Sequence, residues 1–146
     1  MAVIQFTEAD KLASRIMEKG AERAVLSELE QKVSSSQKSV NFWATFKIIN
    51  GPFMGKELKC CFNTETSEAS LLGTMKFFPH SALMKVKAAV DNVKFESLDF
   101  SQPLDTDTIM NKPFDITFDT TAVEGDLINV ITGFLPAGKT TAAVPF

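Results

Sequence analysis

The sequence predicts a mainly β protein, a small β-barrel with helical additions, and two observations lead to that prediction. Residues 40–64 alternate apolar and polar side chains on either side of a glycine-rich turn. Residues 114–119 and 127–134 alternate in the same way around the dipeptide Gly125-Asp126. A hairpin with one apolar face needs further strands, a third layer or a closed barrel to bury that face.

In chain order, the first element is a helix predicted over residues 7–19. Thr7 can cap the helix, and Asp10 three positions later takes the place of the capping-box glutamate. Gly20 is expected just after the last helical residue. A helix this short should pack against the domain or against a partner chain.

Residues 21–33 fit two structures. Their composition and the spacing of Val25, Leu29 and Val33 suit a helix. Every second residue from Val25 to Val33 also falls on one face of a strand, so periodicity alone leaves both interpretations open. The polar run over residues 34–39 is predicted to be a turn or loop, long enough to connect two antiparallel strands.

In residues 40–64, strand alternation separates an apolar face from a mixed and partly basic face. We expect a core face made of Val40, Phe42, Ala44, Phe46, Ile48, Leu58, Cys60 and Phe62. The opposite face would hold Asn41, Trp43, Thr45, Lys47, Glu57, Lys59, Cys61 and Asn63.

The segment that follows is predicted to be helical over residues 66–78 and again over residues 80–90, with Pro79 interrupting the two. Residues 95–104 look irregular, and residues 105–112 predict one more helical turn. The last two strands would place Phe114, Ile116 and Phe118 inside, with Ile128, Val130, Thr132 and Phe134 on one face of the closing strand. Residues 139–146 read as a tail.

Composition limits the function classes. A chain of 146 residues with 45% hydrophobic residues is long enough for one domain with a sizeable core. The net charge of −3 argues against a surface that is basic all over, although residues 1–60 carry nine basic and seven acidic residues. The adjacent Cys60 and Cys61 would point to opposite sides of a strand, which indicates free thiols and a reducing, cytoplasmic location. No stretch approaches the roughly 20 apolar residues of a membrane span.

Signals of catalysis are weak. His80 is the only histidine, and the cysteines lack zinc-site spacing. Asp115, Asp119 and Asp126 could be imagined as a metal cluster, but solvated edge charges are the better interpretation. We therefore expect no metal, no cofactor and no catalytic residues.

Signals of binding are stronger. Trp43, Lys47 and Lys59 lie on the polar face of the two central strands, where bases could stack on the indole while the ammonium groups neutralise phosphates. Lys32 and Lys38 would extend this basic track. The alternative is that Trp43 packs beneath the helical segment and the lysines only keep the sheet soluble, and the pattern alone does not choose between them.

The order of elements and several short motifs resemble phage-encoded single-stranded DNA-binding proteins of the OB-fold type. The resemblance runs over residues 20–138, which we treat with the helix as a single domain, residues 1–138. Its motifs are Ser34 to Ser39, Asn41-Phe42-Trp43, Asn50-Gly51-Pro52-Phe53-Met54-Gly55-Lys56, Phe62-Asn63, Lys112-Pro113-Phe114 and Glu124-Gly125-Asp126 followed by Asn129. It implies a five-stranded Greek-key barrel with an N-terminal helix and a helical insert between strands 3 and 4. It also favours a strand over residues 21–33.

The resemblance implies sequence-independent binding and protection of single-stranded DNA during replication or recombination in the host cytoplasm, without catalysis. The implied groove residues are Trp43, Lys47 and Lys59, with Lys32, Lys38 and Lys56 as phosphate contacts and Phe53 as an extra stacking ring. The terminal Pro145-Phe146 resembles the partner-docking end of such proteins, which recruits replication or recombination enzymes. The N-terminal helix could mediate homo-oligomer formation.

A second hypothesis is a structural or protein-interaction module, such as a virion or assembly component that uses a β-barrel as a scaffold. The negative net charge and the 13 phenylalanines support it. A small enzyme built on the aspartates is a third.

Overall fold

The computed structural model describes residues 2–33, 35 and 38–138, and it is mainly β. Seven strands form one curled, open sheet that resembles half of a barrel. The strands are β1 Gly20–Val33, β2 Val40–Ile48, β3 Glu57–Asn63, β4 Ser70–Leu72, β5 Met75–Pro79, β6 Phe114–Val123 and β7 Asp126–Leu135. The α-helices are α1 Glu8–Ser14 and α2 Leu83–Asp91, and short 3-10 turns occur at His80–Ala82, Phe95–Ser97 and Thr106–Thr108.

The strands lie in the order β4-β5-β3-β2-β1-β6-β7. Every neighbouring pair is antiparallel except β3 and β5, which are parallel. The edge strand β7 carries Phe134, whose ring lies 6.1 Å from that of Phe62 on β3 and 5.8 Å from that of Phe78 on β5. Since β3 and β5 belong to the other half of the sheet, these contacts show how strongly it curls.

The strand count differs from the predicted five because the segment predicted to be helical over residues 66–78 forms β4 and β5 instead. Strand β5 pairs in parallel with β3, with Cys60 opposite Lys76 and Phe62 opposite Phe78. Gly73, with φ of 62°, allows the tight turn between the two short strands. The helical prediction was wrong here because the spacing of apolar residues within a segment does not reveal that the segment pairs with a distant strand. It was correct for α2, and the predicted turn within residues 105–112 is also present.

Residues 21–33 form strand β1, as the resemblance implied and their composition did not. Ala24 and Leu26 are buried, and the register with β2 then shifts between Leu26 and Glu28. This β-bulge places Leu29 against the core as well, so the apolar residues do not follow one strict alternation. Val25 and Leu29, which simple alternation would place on one face of the strand, therefore lie on opposite faces.

A second irregularity lies in the β6–β7 hairpin. Thr117 pairs with Gly133 but Phe118 pairs with Ile131, so Thr132 has no partner in the register. Ile131 is buried and Phe134 also packs against the core, although simple alternation places them on opposite faces. The bulge thus brings two residues of different parity to the interior.

The core lies inside the curl and is built as predicted from the apolar face of the central hairpin. Ala44, Phe46, Ile48, Leu58, Cys60 and Phe62 are all buried, as are Phe114, Ile116 and Phe118 of β6. Helix α2 packs against β6 and β7 and adds Leu83, Val86 and Ala89 to the same cluster. Burial of this many apolar side chains fixes which face of β2 and β3 points outward.

The N-terminal helix has the predicted capping box. The Asp10 backbone N–H donates to Thr7 Oγ1 at 3.1 Å, and the Thr7 N–H donates to Asp10 Oδ2 at 2.8 Å. Helix α1 ends at Ser14 rather than near residue 19, and Gly20 begins β1 instead of terminating a helix. The connection is held by Asn129, whose side chain accepts from the Met17 N–H at 2.9 Å and donates to its carbonyl at 2.7 Å. Among the described residues, no helix is long and apolar enough to cross a membrane.

Candidate nucleic-acid interface

The outward face of the central strands is organised in three rows, set by the pairing register. The first row joins Lys32, Asn41, Asn63 and Pro79, the second joins Glu30, Trp43, Cys61 and Phe77, and the third joins Glu28, Thr45 and Lys59. Successive rows are about 7 Å apart, since residues two positions apart on a strand share a face. Trp43 therefore lies in the middle of the face, with a lysine in the row on either side.

Trp43 forms a small outer aromatic cluster together with Cys61 and Phe77. The Trp43 and Phe77 rings are 6.1 Å apart between centroids and meet edge to face at 77°. Both rings are half-buried, whereas Cys61 between them on β3 is completely buried. Burial raises the pKa of the Cys61 thiol to about 11. The indole is thus held in place by neighbours and still reaches the surface, as a stacking platform requires.

A cavity of about 230 Å³ opens beside the indole. Its lining combines an aromatic ring with hydroxyl, charged and apolar side chains, from Glu28, Glu30, Trp43, Thr45, Lys59 and Met75. In the described part of the chain, neither Glu28 nor Lys59 makes a side-chain hydrogen bond or an ion pair. These groups are consequently available to a ligand.

The predicted lysines differ in their surroundings. Lys47 and Lys59 are exposed on the outward face, and Lys47 lies opposite Glu57 in the register. Lys32 is exposed and its ammonium lies 3.5 Å from Glu30 Oε1. Lys38 is also exposed, in the loop before β2. Because carboxylates accompany the lysines, the net charge of this face is close to zero.

The far end of the face is fixed by an amide network. Asn63 Nδ2 donates to Asn41 Oδ1 at 2.6 Å, and Asn63 Oδ1 accepts from the backbone N–H groups of Glu65 and Thr66 at 2.8 and 3.1 Å. These bonds hold the chain leaving β3 against the start of β2. The two asparagines therefore support the face and are committed to bonds within the protein.

Two predicted site residues lie elsewhere. Phe53 packs against the core, and the guanidinium carbon of Arg15 lies 4.8 Å from the centre of its ring. Lys56 is buried near α1, and its pKa is lowered by burial and by the nearby Arg15 charge. The N-terminal segment covers this turn, so the structure does not bring Phe53 and Lys56 together with Trp43. Pro145 and Phe146 lie outside the described residues.

The three aspartates considered as a metal cluster have different surroundings in the structure. Asp115 is buried, not solvated as expected, since Arg23 Nε lies 3.2 Å from its Oδ1 and the Gly138 N–H donates to its Oδ2 at 3.0 Å. Asp119 lies 3.9 Å from Lys19 Nζ, and Asp126 is exposed. Across residues 2–33, 35 and 38–138, no group of three or more acidic, histidine or cysteine side chains could hold a metal ion. His80 is exposed at the start of a 3-10 turn.

Sequence reasoning missed Phe77, Met75, Glu28 and Glu30 as members of this surface. Phe77 and Met75 were assigned to a helix, so their alternation with the buried Phe78 was not used. The Met75, Phe77, Pro79 spacing of two was the available signal. The outward position of the two glutamates depends on the bulge in β1, which no local sequence pattern predicts.

Comparison of the sequence with protein-family models finds no match, and no curated protein is significantly similar to it.

Proposed function

We propose that this protein binds single-stranded DNA, largely independently of sequence, on the outward face of β2, β3 and β5. The observation that carries the proposal is the position of Trp43, half-buried and braced by Phe77, beside a cavity and between rows that hold Lys32 and Lys59. A base can stack on such a ring with a gain of about 1–3 kcal/mol, while ammonium groups contact phosphates.

The arrangement of strands supports the same proposal. The five long strands lie in the order β3-β2-β1-β6-β7, and the sheet curls until Phe134 meets β3. We interpret these five strands as an OB-like half-barrel whose edge is extended by β4 and β5. In OB-folds the outward face of the central strands binds oligonucleotides, and the same face holds Trp43 here.

Protection of exposed strands in phage replication or recombination would follow from such binding. It requires no catalytic step, and the proposal includes none. Recruitment of replication or recombination proteins by Pro145 and Phe146 stays a prediction.

Intrinsic fluorescence tests the proposal directly because Trp43 is the only tryptophan. Titration with a short oligothymidylate should quench the emission and release condensed cations, so affinity should fall as salt rises. A duplex of the same length should give a much weaker response. Unchanged Trp43 emission together with no salt-dependent retardation of a labelled oligothymidylate would rule the proposal out.

A second candidate is a protein-interaction module, and the N-terminal segment favours it. Val3, Ile4 and Phe6 are 80%, 70% and 78% exposed, an unusual display of large apolar side chains. We would expect self-association that disappears when all three are replaced by serine. Sedimentation velocity of the two proteins distinguishes this outcome from a monomer.

A further inference from the structure

The cavity beside Trp43 contains two carboxylates, which is unusual for a surface that contacts phosphates. Glu30 lies directly across from Trp43 in the register and Glu28 lies across from Thr45. Both side chains are exposed and both line the cavity, together with the indole. The Glu30 charge is offset by Lys32, whose ammonium lies 3.5 Å away, whereas Glu28 repels phosphate, so the DNA backbone should avoid β1 beside Glu28.

The opposite wall of the cavity, on β3, carries the positive charge of Lys59. Lys59 lies across from Thr45 on β3, so Thr45 separates the ammonium from the glutamates across the β2 strand. A DNA strand whose phosphates contact Lys59 on β3 would direct a stacked base across β2 toward Glu28 and Glu30 on β1. The carboxylates would then meet the edge of the base and not its backbone.

An ionised carboxylate only accepts hydrogen bonds, so it discriminates among base edges. Guanine presents two adjacent donors, N1–H and the 2-amino group, which match the two oxygens of one carboxylate. Thymine presents a single N–H between two carbonyl oxygens, and those oxygens would be repelled. A pocket of about 230 Å³ suits one base rather than a larger ligand.

We infer that the Trp43 cavity is a base-edge subsite, in which Glu28 and Glu30 favour guanine over thymine at one position of the bound strand. This inference rests on the proposed function and adds a preference at one position to binding that is otherwise insensitive to sequence.

The experiment compares short oligothymidylates in which one central thymine is kept, replaced by guanine, or replaced by hypoxanthine, which lacks the 2-amino group. A single guanine avoids assembly of guanine-rich strands. We expect the guanine strand to bind about tenfold more tightly than the thymine strand, as bidentate readout of a base does elsewhere, with the hypoxanthine strand in between. Fluorescence anisotropy of labelled strands gives the affinities.

Variants identify the groups responsible. The double variant Glu28→Gln, Glu30→Gln keeps the size of both exposed side chains and should bind guanine and thymine strands equally. Glu57→Gln removes one charge from the same face outside the cavity and should keep the preference. Equal binding of the guanine and thymine strands by the unchanged protein, or a preference that survives in the double variant, would overturn the inference while leaving the proposed function intact. Failure of every strand to bind would overturn both.

Discussion

The indole of Trp43 lies edge-on to the ring of Phe77, with 6.1 Å between ring centroids and Cys61 buried between their strands. The contact joins β2 to β5 across β3 on the outward side of the sheet. It fixes the orientation of the only tryptophan of the chain, which would reduce the entropy lost in the proposed stacking of a base.

Replacement of Trp43 by alanine should weaken oligothymidylate binding by about ten- to hundredfold, since one base stack is lost. Phe77→Ala should weaken it less, because Phe77 orients the indole. The matched control is Phe100→Ala, which removes an exposed ring from the segment after α2. Anisotropy of a labelled strand measures all three, with circular dichroism as the check on folding. Equal losses in the Phe100 and Trp43 variants would contradict the assignment.

The salt dependence of the binding affinity should show which lysines contact phosphates. Lys59→Gln and Lys47→Gln should each reduce the slope of log affinity against log salt by about 0.7, since each variant releases roughly one counterion fewer from a single strand. Lys94→Gln removes the same charge from the exposed segment after α2 and should leave the slope unchanged. A binding isotherm at several salt concentrations provides the slopes. A larger change of slope in the Lys94 variant than in the Lys59 and Lys47 variants would contradict the proposed position of the site.

The Cys61 thiol should react slowly with a disulfide reagent in mildly alkaline buffer. It is fully buried and its pKa is raised to about 11, so little thiolate exists below that pH. Trp43→Ala should uncover the thiol and accelerate labelling, and the rate should rise with pH as the thiolate forms. In a double variant, Trp43→Ala with Cys61→Ser, the faster labelling should disappear, because the remaining Cys60 points into the core. Fast labelling of the unchanged protein would mean that the outer aromatic cluster does not form.

Asn129→Ala should lower the free energy of unfolding by about 1–3 kcal/mol, because it leaves the backbone N–H and carbonyl of buried Met17 without their partner. Asn129→Asp retains an acceptor for the N–H but places a carboxylate oxygen against the Met17 carbonyl oxygen, so it should also destabilise the protein. Urea denaturation monitored by circular dichroism provides the values. An alanine variant as stable as the unchanged protein would show that the segment before β1 is not anchored there.

The sequence predicts the central hairpin well because β2 and β3 pair without a register shift, so every second residue stays on the same face. The inward Phe46, Leu58 and Phe62 and the outward Trp43 and Lys47 all lie on the predicted sides. The residue pattern did not predict features that depend on pairing between strands distant in sequence. Bulges in β1 and β7 change parity, and the pairing of β5 with β3 turns a helix-like segment into strands. The burial of Lys56 near Arg15 could not be predicted for the same reason, because the two residues are distant in sequence.

The ring cluster around Phe134 has a consequence for synthesis of the protein. Phe134 contacts Phe46, Phe62, Phe78 and Phe114, and it lies on β7, which is synthesised after all the other described strands. The aromatic interior of the central hairpin therefore stays uncovered until β7 has been synthesised. Co-translational folding should stop at an open intermediate that exposes these rings, and that nascent form is where a chaperone would bind.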